Sequence, residues 1–355
     1  MASLYYACLS KKVAMPNGAH VHALSWNPEH GWLAAGCDAG LVKVLKFEQA
    51  TADSSARGVA AAANLGMNQT LDGPKESAAI LAAWNAPHRK LATADASGLI
   101  IVWTLHKGAW VEEMINNRNK SVVRDLRWRG NGAEICIAYE DGMVIVGTVE
   151  GARLWSKDVG ARLALLEWAP NGQALLFATA GGPVVVHNNQ GVRVGALPLV
   201  AVADLLPPGA DLTAAALPPA LRVVALEWYD GAEGYAAPDA RSLAVAFANG
   251  RVQLMRGLDD EAPVCLDTAL TPLVGAKWNS NGSVFAVAGQ KTAPSGASVS
   301  EVQFYLPDGR FLNALKVPGG TVNALTWEGG GLRVAVRRER PRRRAARALC
   351  AAQSH

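Results

Sequence analysis

Residues 163–188 read LALLEWAPNGQALLFATAGGPVVVHN. An apolar run ends in Trp168, a turn follows at Pro170-Asn171-Gly172, and the chain continues as the small apolar strand ALLFAT. After a second, glycine-bearing turn it finishes as PVVVHN. The opening of this unit recurs along the chain. Apolar runs also end at Trp26 (HALSW), Trp84 (ILAAW), Trp128 (RDLRW), Trp228 (VALEW), Trp278 (VGAKW) and Trp327 (NALTW). Successive tryptophans lie 58, 44, 40, 60, 50 and 49 residues apart. A unit of roughly 40–45 residues with loops of variable length accounts for these intervals.

The residues after each of these tryptophans repeat as well. Short strands come next (WLAAGC, KLATAD, EICIAY, SLAVAF, SVFAVAG), then turns such as Asp38-Ala39-Gly40, Asp141-Gly142 and Asn249-Gly250. A third strand completes each set, as in LVKVLKF, LIIVWTL, MVIVGTV, RVQLMR and EVQFYL. Asn-Gly and Asp-Gly between short β-branched runs signal hairpins, because both central residues of a type I′ turn need positive φ. Inner strands apolar on both faces must be covered on both. Stacked blades of a β-propeller provide that cover. The expectation is an all-β, seven-bladed WD40-type propeller over residues 1–336, with the repeat tryptophans as wide spacers between sheets. The Gly-His and Trp-Asp marks of that repeat are absent, so the pattern is a degenerate one. Only 154–168, 56–64 and 343–352 tempt a helical reading, and none of them repeats.

Composition agrees with a folded chain. Of 355 residues, 50% are hydrophobic and 18% charged, against roughly 45–50% and 25% in average globular proteins. The net charge of +4 is local in origin. Residues 337–355 hold seven arginines and one glutamate, which leaves residues 1–336 at −2. With no basic surface over the body, nucleic-acid binding would rest on the tail alone. The tail itself is expected to be disordered, since its arginines repel and Pro341 interrupts them. Cys8, Cys37, Cys136, Cys265 and Cys350 are odd in number and far apart, and form no CxxC pair. They read as buried free thiols of a reducing compartment. The N-terminus has no uninterrupted apolar run of signal-peptide type.

Residues for chemistry are missing from the pattern. The sequence holds no GxxxxGK[ST], GxSxG or HExxH motif. His20 and His22 share a strand face, with no carboxylate or cysteine beside them in sequence. Asp38, Asp95 and Asp141 precede turns that an aspartate caps for itself. Glu328-Gly329-Gly330-Gly331 reads as a hairpin turn, because no helix start comes after it to make a phosphate loop. No catalytic residue, cofactor or metal is expected. The polar segment 112–120 (EEMINNRNK) joins the second unit to the third. Its residues Asn116, Asn117, Arg118, Asn119 and Lys120 are the candidate interaction surface.

Nine segments then carry a resemblance: LSKKVAMPN (9–17), GLVKVLKFE (40–48), NLGMNQTLDG (64–73), LIIVWTLHKGAWVEEMINNRNKSVVRDLRW (99–128), YEDGMVIVGTVEG (139–151), YDGAEGYAAPD (229–239), VQFYLPDG (302–309), LKVPGG (315–320) and LTWEGGGLR (325–333). In this order they resemble the N-terminal propeller of WD-repeat subunits of intraflagellar transport complex A. The resemblance implies a non-enzymatic scaffold that supports retrograde ciliary transport and the passage of membrane proteins into cilia. Its implied partners are other complex A subunits, with membrane-protein cargo indirect, and no small-molecule substrate or nucleic acid. Its implied location is the cilium or flagellum and basal body, with a cytoplasmic pool. The alternative is a generic cytosolic or nuclear WD-repeat adaptor with a basic localisation or RNA-binding tail.

Two departures from the family pattern generate expectations of their own. Residues 199–221 are longer and richer in Pro and Ala, and are expected to form a surface loop. After Val336 the pattern is lost, so the last blade is expected to be incomplete, lacking its third strand. The N-terminal segment 4–9 (LYYACL) is a spare strand for closing the ring.

Overall fold

A computed structural model describes all residues except 1–5, 16–17, 48–64, 230–239, 319, 332, 340–346 and 355. The fourth blade spans residues 163–196. Its antiparallel strands are Leu163–Trp168, Ala174–Thr179, Val184–Asn188 and Arg193–Ala196, hydrogen-bonded in that order. The first turn closes because Gly172 takes φ +64° and its N–H reaches the Ala169 carbonyl at 2.7 Å. The Asn171 side chain accepts from the Gln173 N–H beyond it at 2.9 Å. The second strand is buried at every position but its first, as a strand sandwiched between two other blades must be.

Five further blades repeat this plan over residues 21–72, 79–117, 123–158, 223–267 and 273–317. In every inner strand the register slips near its start, just after the first residue in six, as at Val123/Asp125, Leu163/Leu165 and Val223/Ala225, and after the second, Val322, in Thr321–Trp327. Such a bulge raises the local twist and re-aims the side chains beyond it. The inner strands pack side by side in a ring around a central channel, and that of the first blade meets Thr321–Trp327 to close it.

The closing sheet corrects the sequence expectation. Six blades, not seven, are built from four consecutive strands. The remaining sheet is a composite of both ends of the chain, ordered from the channel outward as Thr321–Trp327, Arg333–Glu339, Arg347–Ser354 and Tyr6–Ala14. It is not a strand short, because Arg347–Ser354 occupies the third position. There Val336 pairs with Leu349 on one side, and Leu9 with Ala351 on the other. The tail expected to be disordered therefore contributes a strand. The arginine block drew attention to repulsion, whereas the eight residues RALCAAQS beyond it carry one arginine and can join a ladder. A strand in that position gives backbone groups on both neighbours their partners. Residues 340–346, the alanine-rich 56–64 and the first two residues of 4–9 lie outside the described residues.

Residues 199–221 are not a plain surface loop. Two short 3₁₀ turns, Val200–Leu205 and Pro219–Leu221, fold the segment back between the fourth and fifth blades. Leu199, Ala201, Val202, Leu206, Leu217 and Leu221 are buried there with Phe247 and Met255. The apolar half of the insertion widens a core rather than decorating it. Among the cysteines, Cys37 and Cys136 are buried, and burial pushes the Cys37 thiol up to about 12. Cys265 is exposed, since it lies on the outer strand Val264–Asp267 of the fifth blade.

Candidate interaction surface

Each repeat tryptophan is the last residue of an inner strand, except Trp84, which is succeeded by one more residue, Asn85. Four of them reach back one blade in the same way. The indole N–H of Trp84 donates to the carbonyl of Ser25, Trp128 to Ala83, Trp168 to Arg127, and Trp327 to Lys277, at 3.0–3.3 Å. Every acceptor is the residue just before the preceding blade's tryptophan. The other three differ. Trp26 donates to Gly31 and Trp228 to the Ser242 hydroxyl, both within their own blade. Trp278 Nε1 is buried without a hydrogen-bond partner among the described residues.

The position before the tryptophan has a second role, which reading the sequence for its tryptophans missed. Its side chain faces the channel, a space of about 630 Å³. Arg127, Glu167, Glu227 and Lys277 occupy it in four consecutive inner strands. The Arg127 guanidinium lies 3.3 Å from Glu167, 3.2 Å from Glu227 and 3.5 Å from Asp125. Lys277 Nζ is 2.5 Å from the same Glu227 oxygen. Burial pushes the Glu167 carboxyl up to about 8, and the neighbouring Glu227 adds to the rise. Glu227 is buried too, but Lys277 and Arg127 outweigh that and hold it below the usual carboxylate range. Asp125 also accepts from the Leu166 backbone at 3.0 Å, tying the third blade to the fourth. The signal was present in the pentapeptides RDLRW, ALLEW, VALEW and VGAKW, where a charge stands inside an otherwise apolar run. These charges answer one another across the channel.

The polar segment 112–120 lies at the outer edge of the second blade. Asn116 and Asn117 end its outer strand and are exposed, as are Asn119 and Lys120 in the link to the third blade. Asn119 takes φ 54° and donates its N–H to the Asn117 side chain at 2.7 Å. Arg118 does not turn outward. Its guanidinium pairs with Asp141 at 2.7 Å and lies 5.0 Å from the centre of the Tyr139 ring. That contact holds the Asp141 carboxyl below its ordinary range. The five residues thus divide into an inward-facing tether and four exposed positions.

Asp95 and Asp141 accept from the backbone N–H groups two residues on. Asp38 behaves differently. It accepts from the His20 backbone at 2.8 Å and lies 2.5 Å from His22 Nε2. A carboxylate does stand beside these histidines, because pairing of Val21 with Cys37 brings residue 38 next to residue 20. No group of three or more His, Cys, Asp or Glu side chains suited to a metal occurs among the described residues. Glu328–Gly331 is the turn between two strands of the closing sheet, with Gly331 N–H on the Glu328 carbonyl at 2.9 Å.

Comparison with known proteins covers the ring up to residue 340, short of the strand Arg347–Ser354. A family model described as WDR35/TULP4 N-terminal matches residues 5–340. Human WD repeat-containing protein 35 is 47% identical over 330 residues, covering 92% of this chain and 27% of the human protein. The rat protein of that name is 46% identical over the same length. Mouse Tubby-related protein 4 is 31% identical over 309 residues, covering 81% of this chain and 18% of its own. The chain spans about a quarter of the length of the first two relatives.

Proposed function

Since the chain belongs to the WDR35/TULP4 N-terminal propeller family, we propose that it serves as a non-enzymatic scaffold propeller of intraflagellar transport complex A. In this reading it binds other subunits of that complex and supports retrograde transport and the delivery of membrane proteins into cilia. Contact with the membrane-protein cargo is indirect. Its place is the cilium and basal body, with a cytoplasmic pool. The observation that carries the reading is the 47% identity to human WD repeat-containing protein 35 across 92% of the chain. The charge pairing in the channel supports a structural role, because its acids and bases neutralise one another instead of facing a substrate.

The test is proximity labelling and affinity capture from ciliated cells expressing the tagged chain. Complex A subunits enriched over a control propeller, with signal at the ciliary base, are the expected result. Recovery of importins or RNA without complex A subunits would replace this reading with that of a general adaptor.

A further inference from the structure

The two outer strands of the second blade, Leu99–His106 and Ala109–Asn117, and the facing side of all four strands of the third blade frame a cavity of about 120 Å³. Its walls are Ile100, Trp128, Ile135, Ile137, Ile145 and Met114. Of the residues that line it, Asn116, Gly151 and Arg153 are exposed. The opening therefore lies between the outer strands of two neighbouring blades. Gly151, at φ +90°, keeps it clear, since a Cβ there would come within 2.7 Å of the Met114 sulfur and methyl.

We propose that this inter-blade cavity docks an extended segment of a partner protein, seating one leucine-sized side chain inside and setting an adjacent carboxylate on Arg153. The inference is independent of which complex the propeller serves. Size and lining define the apolar part. An apolar cavity of about 150 Å³ is known to stay dry and admit benzene, so this slightly smaller one suits an isobutyl group. A few side chains seated in desolvated pockets carry most of the binding energy of a protein interface.

Charge defines the rest. Five neighbouring arginines are answered by carboxylates: Arg118 by Asp141, Arg124 and Arg162 by Glu140, Arg129 by Glu134, and Arg127 by its three acids. Arg153 has no carboxylate partner among the described residues. The Asn116 side-chain amide, on the opposite rim, likewise has no hydrogen-bond partner among them. One guanidinium and one amide at the mouth of an apolar pocket match a carboxylate and a peptide group flanking an apolar side chain. Glu150, on the adjoining turn, does not cancel Arg153. It bonds to Thr148, and His88 and Lys90 act on it from the second blade.

The test uses the full chain carrying carbon-13 methyl-labelled methionine, with the Met114 resonance assigned from Met114→Leu. The probes are Ac-Ser-Asp-Leu-Asp-Ser-amide, its Lys-Leu-Lys counterpart, and Ac-Ser-Asp-Ser-Asp-Ser-amide. Saturable movement of the Met114 methyl with the first peptide alone is expected. Arg153→Glu, an exposed change checked by thermal melting, is expected to weaken that peptide by roughly tenfold or more and to favour the lysine peptide. No movement at roughly 1 mM peptide, a level at which only about 4 kcal/mol of binding is required, would overturn the proposal. So would equal response to all three probes, or undiminished binding by Arg153→Glu. Movement of the same methyl on raising protein concentration alone would assign the cavity to a second copy of this chain instead.

Discussion

The indole N–H of Trp168 donates to the backbone carbonyl of Arg127, 3.2 Å away in the preceding blade, while the Arg127 side chain enters the channel. One residue thus holds the next blade through its backbone and the channel network through its side chain. Trp128 and Trp327 use the residues before their predecessors' tryptophans in the same way. Four of the seven tryptophans stitch the ring at this one repeated position, just where the apolar run meets its tryptophan.

Trp168→Phe is expected to destabilise the protein by about 1 kcal/mol more than Trp278→Phe. Both changes shrink a buried ring. The first also strips the Arg127 carbonyl of its donor, whereas the second removes an N–H that is buried without a partner among the described residues. Denaturant unfolding of the two variants measures the difference, and equal losses would deny the bond any net contribution.

Glu167 predicts a pH dependence with a definite sign. Its carboxyl is raised from 4.5 to about 8 in the folded protein. Between those values the native state keeps a proton that the unfolded chain releases, so stability falls as pH rises through this window. Below it both states are protonated, and above it both are ionised. Glu167→Gln should flatten the slope by up to about 1.4 kcal/mol per pH unit. It should also be the more stable form at the alkaline end. Melting curves of both proteins from acid to alkaline pH decide this, and parallel profiles would contradict it.

Gly329 and Gly330 should respond in opposite ways to the same substitution. A Cβ on Gly329 would stand 1.5 Å from the Pro28 carbonyl oxygen, across the seam between the closing sheet and the first blade. One on Gly330 meets nothing within 4 Å. Gly329→Ala is expected to lose about 1–3 kcal/mol or more, and Gly330→Ala to remain near wild type. A tolerant Gly329 would mean that the seam is looser than described.

Removing residues 341–355 should open the closing sheet. Arg333–Glu339 and Tyr6–Ala14 would each lose a neighbour, leaving two strand edges unpaired. Each buried group left without a partner costs about 1–3 kcal/mol, against a total stability of roughly 5–15 kcal/mol. A lower melting temperature and association detected by light scattering are expected. An unchanged, monomeric truncation would show that Arg347–Ser354 adds nothing to the ring.

The blades were legible because their inner strands must be apolar on both faces and end in a wide residue, a pattern that survives in linear sequence. The closing sheet was harder. The attachment of Arg347–Ser354 depends on pairing with residues hundreds of positions away, and the arginines before it masked a strand of small residues. Segment 199–221 misled in the opposite direction. Its prolines and alanines read as a loop, yet its leucines found a gap between two blades. The Asp38–His22 pair and the Arg127 network arise from strand register, which places residues distant in sequence side by side. Of the candidate surface, only 118–120 lie in the blade-to-blade link; Asn116 and Asn117 belong to the outer strand Ala109–Asn117, whose polar residues hid a strand with one edge exposed. The inward turn of Arg118 was not legible, because it depends on Asp141 in another blade.

Closure by both ends also sets a timetable for the newly made chain. Tyr6–Ala14 is synthesised before every other strand of the ring, and its partner Arg347–Ser354 after all of them. At roughly 5–20 residues per second, the early strand waits on the order of twenty seconds to a minute with an exposed edge. During that interval each finished blade can dock on the one before it, because most indole staples point backward to chain already synthesised. The ring can therefore assemble blade by blade from its beginning but lock only at its end. Co-translational chaperones would meet an open arc rather than a propeller.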